Sequence, residues 1–300
     1  MEKTQQDRSH FQLDFIGIGA PRTGSTWLTE NLAVHPDIFI PKKELHYFNR
    51  TMLLKNNRNF NKPLEWYAAF FKTAKSHQIK GESTPRYFFD KHSAERIYRF
   101  NPDIKLLVVL RHPIERLLTL HLNLIRKGVI HRIPFENILK ISAPQPLLTE
   151  TLYFRALKRY FDLFPRENIK ITFYEDLIKD GSSFLRDIQD FLGVNHFIPR
   201  TLTKRVNVTL NPSFLPINML LYHIQLFFYK CNLTAEAWPV KYLASVITKP
   251  YWHFYRKTGK PYDQKPQINE RFRKALINYY LRDLEQLERF LGKDLSHWKT

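Results

Sequence analysis

One cysteine, Cys231, stands among 300 residues. A lone thiol excludes an internal disulfide framework and a cysteine-rich zinc site, and it suits a reducing compartment. Long apolar runs are missing too. No stretch has spanning character over about 18 uncharged residues. The nearest, Ser213 to Tyr229 (SFLPINMLLYHIQLFFY), has no formal charge but contains Asn218, His223 and Gln225. It reads as a buried or interfacial helix. The opening MEKTQQDRSHFQ lacks the apolar core of a secretory signal. Internal repeats, low-complexity tracts and an evident linker are absent, so the expectation is one domain over 1–300 with a flexible N-terminus at 1–12. Acidic residues are scarce: 28 Asp and Glu face 47 Lys and Arg, a formal net charge of +19. That excess points to an anionic partner such as a nucleotide, a sulfated or carboxylated glycan, nucleic acid or an acidic membrane surface.

What is present is a strand–helix alternation. Leu13 to Gly19 (LDFIGIG) is short, apolar and ends in Gly, so it reads as a strand; STWLTENLAVHP then shows helical spacing until Pro36. Asp37 to Phe48 (DIFIPKKELHYF) reads as a second extended stretch, LEWYAAFFKTA as a helix, QIKGESTPRYF as a short strand into a loop, and SAERIYRFNP as a helix closed by Asn101-Pro102. Ile104 to Pro113 (IKLLVVLRHP) has the continuous apolar run of a strand buried on both faces, followed by a helix stopped at Gly128. LLTETLYFRALKRYFDLFP reads as an amphipathic helix, NIKITFYEDL as a strand and SSFLRDIQDFLGV as a helix. The stretch 212–265 is irregular or helical and reads as an acceptor-side insertion; 268–292 is a C-terminal helix. The fold class this predicts is α/β, a central parallel sheet flanked by helices on both faces.

The chemistry gathers at FIGIGAPRTGSTWLTENL, Phe15 to Leu32. Gly19 and Gly24 have the spacing of a phosphate loop, but the lysine expected after the second glycine is replaced by Ser25. A Gly-bearing strand-to-helix turn directs backbone N–H groups at one point, and the helix N-terminus adds partial positive charge. Thr23, Ser25 and Thr26 supply hydroxyls, and Arg22 a permanent charge with a bidentate fork. Such a loop suits a 5′-phosphate that has no γ-phosphate.

PRTGSTWL, Pro21 to Leu28, resembles the first signature of the sulfotransferases that use 3′-phosphoadenosine 5′-phosphosulfate (PAPS): Pro, a basic residue, any residue, Gly, two hydroxyl residues, any residue, Leu. The second signature of that family, an Arg closing a strand and a Ser eight residues on, is met by RHPIERLLT, with Arg111 and with Thr119 at the Ser position. By itself this stretch also reads as a solvated helix start with Arg116 paired to Glu115 or Glu95. Leu152 to Val194 is similar to the family's middle region, with Tyr174 where some members stack a Tyr on adenine. The likeness covers about 15–210 and 268–298. Its motifs are closest to the bacterial and heparan-sulfate-type members.

That resemblance implies a P-loop-like sulfotransferase fold and an enzyme moving a sulfuryl group from PAPS to an acceptor hydroxyl or amine, without a metal. It assigns Arg22, Thr23, Gly24, Ser25, Thr26 and Trp27 to the 5′-phosphosulfate, and Arg111 and Thr119 to the 3′-phosphate. Lys204, Arg205 and Asn207 stand in for the family's late basic element. Arg22 occupies a position where many members have Lys; it cannot readily give up a proton, so its role is electrostatic. PKKELHYF, Pro41 to Phe48, resembles the element that carries the base, which makes Glu44 the first choice and His46 the second. On a strand both would face one side. GESTPRYF, Gly81 to Phe88, resembles Glu-Lys-Ser/Thr-Pro-x-Tyr-Phe; Glu82 falls on the Glu, which makes it a further catalytic candidate and leaves the base open among Glu44, His46 and Glu82, and Ser83 replaces the Lys, leaving Arg86 or Lys43 to compensate.

The partners implied are PAPS and its product PAP, with an anionic glycan or glycolipid as acceptor. Basic, aromatic Tyr251 to Lys265 fits such a saccharide and also a membrane interface. The expected location is the cytoplasm, with the inner membrane surface as the alternative. A P-loop nucleotide or sugar kinase would need Lys after Gly24 and an acid where Arg111 ends its strand. A nucleic-acid module would gather its basic residues on one face, whereas here Lys and Arg run along the whole chain.

Overall fold

The computed structural model describes residues 11–42, 44–52, 55–56, 58–127, 129, 134–139, 145–200, 202, 216–217, 219–221, 223 and 267–300. They fall into two compact units. The first draws on Met1–Pro113, Leu152–Val206 and Tyr280–Lys299, and the second on Ile114–Thr151, Asn207–Tyr279 and Thr300.

The elements run β1 (Phe15–Gly19), α1 (Ser25–Leu32), β2 (Ile38–Phe39), β3 (Thr51–Met52), β4 (Lys55–Asn56), α2 (Leu64–Ala68), β5 (Ile79–Ser83), α3 (Ser93–Phe100), β6 (Lys105–Leu110) and α4 (Pro113–Arg126). They continue with α5 (Gln145–Thr149), α6 (Tyr153–Phe161), β7 (Ile169–Phe173), α7 (Tyr174–Lys179), α8 (Gly181–Leu192) and α9 (Glu270–Leu291). Strands β2, β5, β1, β6 and β7 form one five-stranded sheet in that order, and every pairing in it is parallel. β3 and β4 make a separate antiparallel pair. Among the described residues, no helix is long and apolar enough to cross a membrane.

The sheet lies in the first unit. Phe15, Leu107 and Val109 face α1, α7 and α8 through Leu28, Leu32, Leu177, Phe184, Leu185 and Ile188. Their strand neighbours Ile16, Ile18, Leu106 and Val108 point the other way and are equally buried. Both faces are therefore covered, which is why β6 reads as an unbroken apolar run. Each such side chain contributes about 1.5–3 kcal/mol by leaving water.

The parallel α/β architecture expected from the sequence holds. Three local expectations do not. The strand expected over 37–48 is confined to Ile38–Phe39, because Pro41 has no N–H for a ladder and the amides of 45–47 bond to side chains instead. The helix expected from Leu147 to Pro165 breaks before Tyr153; Thr151 hydrogen-bonds back to Leu147, and Asp283 accepts from the Phe154 and Arg155 amides to start α6 afresh. β7 stops at Phe173, and Tyr174 opens α7, whose first turn carries Glu175 and Asp176.

Candidate functional site

The strand order fixes where a ligand can bind. From β1 the sheet is extended towards β5 and β2; from β6 it is extended towards β7. Strand order reverses between β1 and β6, and in open parallel sheets the crevice lies at the carboxyl ends of such strands. Gly19 ends β1, Leu110 ends β6, Ser83 ends β5 and Phe173 ends β7. The segments carrying Arg22, Arg111 and Tyr174 thus leave the sheet at one end, the end at which Glu82 stands near the close of β5.

The β1–α1 loop is shaped by its glycines. A Cβ on Gly19 would lie 2.5 Å from Phe88 Cβ and 2.8 Å from the Pro85 carbonyl oxygen. Gly24 has φ +93, and a Cβ there would meet Leu177 at 3.0 Å and Tyr174 at 3.1 Å. Gly24 is also the N-cap of α1, with no side chain to accept from the first turn, and that turn carries no acid. The first-turn amides of Ser25, Thr26 and Trp27 are oriented as an anion site requires. Arg22 sits at φ 71, a backbone region uncommon for residues with side chains. Ser25 and Thr26 are half-buried. The Thr23 hydroxyl differs from expectation: it is fully buried and donates to the Ala20 carbonyl at 2.7 Å, closing the loop on itself. The Trp27 indole is likewise engaged, donating to the Leu202 carbonyl at 3.1 Å and packing edge-on to Phe184.

Across the crevice, Arg111 leaves β6 and is 9% exposed. Its Nη1 lies 3.5 Å from the Arg22 carbonyl oxygen, a contact at the limit of a hydrogen bond. Its guanidinium lies 4.4 Å from the centroid of the Tyr174 ring. Two bonds fix the backbone here: Tyr153 Oη donates to the Arg111 carbonyl at 2.9 Å, and the His112 amide donates to Glu175 Oε1 at 2.9 Å. Tyr153 and Glu175 carry no motif of their own that marks them as supports, although both lie within the Leu152–Val194 stretch.

Glu44 and His46 meet, although not as neighbours on a strand. His46 Nε2 is 3.2 Å from Glu44 Oε2, with Glu44 half-exposed and His46 mostly covered. His46 takes φ 53 in irregular backbone, and its Nδ1 lies 3.2 Å from Asn49 Oδ1. Glu82 is elsewhere in this arrangement. It is 0% exposed and accepts from Tyr67 Oη at 2.7 Å, Tyr87 Oη at 2.8 Å and Thr84 Oγ1 at 3.1 Å. Burial pushes its carboxyl up to about 7, against the opposing pull of those three hydroxyls and of the His46 charge. Arg86 is half-buried on the 3-10 turn Pro85–Phe88.

Thr119 belongs to the second unit, where its hydroxyl donates to the Glu115 carbonyl at 2.8 Å in the α4 backbone. Arg116, also in that unit, is fully buried and donates to Thr151 Oγ1 at 3.0 Å, and Glu95 pairs with Arg99. The stretch is therefore not a solvated helix start. Lys43, Lys204, Arg205 and Asn207, most of 213–229, and 251–265 lie outside the described residues.

The sulfotransferase domain family matches this chain over residues 12–208. Human heparan sulfate glucosamine 3-O-sulfotransferase 5 is 28% identical over 189 residues, covering 60% of this chain and 53% of that protein. Mouse heparan sulfate glucosamine 3-O-sulfotransferase 3B1 is 30% identical over 191 residues, covering 61% and 46% respectively. The chain thus matches about half the length of these curated relatives. Among solved structures, a sulfotransferase from Alicyclobacillus acidocaldarius shares the fold with a TM-score of 0.68 at 22% identity, covering 97% of this chain and 100% of that one.

Proposed function

Because the chain belongs to the sulfotransferase domain family, we propose that it transfers a sulfuryl group from PAPS to a hydroxyl of a glycan, with Glu44 as the base. One observation carries the nucleotide part: Arg111 Nη1 reaches the Arg22 carbonyl at 3.5 Å, which brings the end of β6 against the β1–α1 loop. A donor with phosphate at both its 5′ and 3′ positions then meets cationic and amide groups from both sides of a single crevice.

The residues present fit such a donor. The uncapped N-terminus of α1 and Arg22 take the 5′ side, where Arg22 and the amides balance negative charge without giving up a proton. Arg111 takes the 3′-phosphate with the fork geometry phosphate favours. Tyr174 carries Arg111 over one ring face and has at most the other to offer an adenine. PAPS supplies the sulfuryl group, and PAP departs as the bond from sulfur to the 5′-phosphate oxygen breaks. Glu44 accepts the proton of the attacking hydroxyl while its oxygen bonds to sulfur. His46, 3.2 Å away, holds the Glu44 carboxylate in place.

The glycan acceptor is supported by the relatives that act on heparan sulfate glucosamine and by the excess of Lys and Arg. The test is transfer of labelled sulfate from PAPS to heparan sulfate. Wild type is expected to label the polymer, and Glu44→Gln to lose kcat by about a hundredfold or more with PAP affinity unchanged. Full labelling by Glu44→Gln would assign the base elsewhere.

A further inference from the structure

We infer that Glu82 is the positioning residue of the Glu44–Tyr47 segment, its buried carboxylate setting the direction of the hydroxyls that hold that segment's backbone. The inference rests on the proposed role of Glu44, and it concerns how that residue is kept in place rather than what it does.

The connectivity is specific. Thr84 Oγ1 donates to Glu82 Oε2 and itself accepts from the Leu45 amide at 3.2 Å and the His46 amide at 3.4 Å. Tyr87 Oη donates to Glu82 Oε1 and accepts from the Tyr47 amide at 2.9 Å. Three consecutive amides, at 45, 46 and 47, are thereby held by two hydroxyl oxygens whose protons are both directed at one carboxylate. Tyr67 completes the cluster; its hydroxyl donates to Glu82 Oε1, and its ring stacks on Tyr47 at 4.4 Å and 17°. The Asn59 side-chain amide adds one bond to the Leu45 carbonyl at 2.8 Å. No strand ladder supports this stretch, so its shape, with His46 at φ 53, depends on these side chains.

A hydroxyl has one proton. While Glu82 is ionised it accepts only, so Thr84 and Tyr87 point their protons at it and present lone pairs to the amides. A protonated Glu82 is itself a donor. One neighbouring hydroxyl must then accept from it and turn its own proton away from the carboxyl; where that hydroxyl is Thr84 or Tyr87, its two lone pairs are shared between the carboxyl proton and the loop amides, and its hold on the amides weakens. The charge on Glu82 thus selects the held state of the segment carrying Glu44 and His46. The groups facing this cluster are Tyr67 of α2, Thr84 and Tyr87 after β5, the imidazole of His46, and Arg96 of α3, whose guanidinium lies 5.2 Å from the Tyr47 ring centroid. Burial keeps Glu82 titrating near neutrality, where such a change is readable.

The test is amide hydrogen exchange of Leu45, His46 and Tyr47 in the full chain, corrected for the intrinsic pH dependence of exchange. It is run at several pH values between about 5.5 and 8.5, which bracket the titration, alongside calorimetric titration with PAP. In wild type, protection at the three amides should rise about tenfold or more across that range, the scale of a hydrogen bond to a charged cluster. In Glu82→Gln it should be low and flat. Thr84→Val should expose Leu45 and His46 while sparing Tyr47, and Thr84→Ser should restore them, which keeps the inference testable if the Glu82 variant does not fold. Wild-type protection that is high and independent of pH, or that survives Thr84→Val, overturns it. PAP binding by these proteins reports separately on the proposed function: a wild type that does not bind PAP sinks that reading whatever the amides do.

Discussion

The Arg111 guanidinium lies over the face of Tyr174, 4.4 Å from the ring centroid, and the edge of the same ring borders Gly24, where a Cβ would approach to 3.1 Å. One aromatic side chain therefore touches both sides of the crevice, the end of β6 and the start of α1. A cation held over an aromatic face in a partly desolvated site gains roughly 0.5–2 kcal/mol. Tyr174→Leu should weaken PAP binding about threefold to thirtyfold, with Tyr174→Phe close to wild type. Calorimetric titration distinguishes them; equal affinity in all three would remove Tyr174 from the site.

Gly24→Ala should cost about 1–3 kcal/mol of stability and also weaken PAP, because the position combines φ +93 with close approaches to Leu177 and Tyr174. Thermal denaturation gives the first effect and titration the second. An alanine protein as stable as wild type would contradict the loop geometry.

Tyr153→Phe removes the hydroxyl that donates to the Arg111 carbonyl at 2.9 Å but keeps the ring. The buried carbonyl loses a partner, so stability should drop by about 1–3 kcal/mol. PAP affinity should fall with it as Arg111 loses its anchor. A stability loss with unchanged PAP affinity would show that Tyr153 does not position Arg111.

Two buried acids give wild type a characteristic pH dependence of stability. Burial raises Glu82 to about 7 and Asp283 to about 6, from ordinary values of 4.5 and 3.8. A raised acid binds its proton more tightly in the folded chain than in the unfolded one, so its contribution is full below the ordinary value and is lost as pH rises through the folded value. Each change is on the order of 3 kcal/mol. Glu82→Gln should flatten the fall between about pH 4.5 and 7, and Asp283→Asn that between about pH 4 and 6, measured by denaturant unfolding at a series of pH values. Glu82 thus favours opposite ends of the scale in two ways: its charge orders the Glu44 segment while its neutral form favours the fold as a whole.

Much of this was legible where the signal is local. PRTGSTWL specifies a strand-to-helix turn through its glycine spacing and hydroxyls, and IKLLVVLRHP specifies a buried strand ending in a basic residue; the sheet places them side by side. PKKELHYF marks Glu44 and His46 as two residues able to line one cleft, but from a strand face; their contact arises instead in irregular backbone, which alternation along a strand does not describe. Thr84 and Tyr87 stood within GESTPRYF as spacing alone, and Tyr67 gave no signal, because its hydroxyl reaches Glu82 only after α2 has packed beside β5. Asp283 reaches the start of α6 from 129 residues away. Contacts of that separation come from the fold, and periodicity does not carry them.

The most direct test is calorimetric titration with PAP of wild type, Arg22→Ala and Arg111→Ala. The two anchors follow the ends of neighbouring strands and meet at the Arg22 carbonyl, so wild type should bind at micromolar concentration or tighter. Each variant should be about tenfold to a hundredfold weaker, the scale of charged hydrogen bonds to phosphate. A wild type that shows no binding, or variants that bind as tightly as it does, would contradict the account.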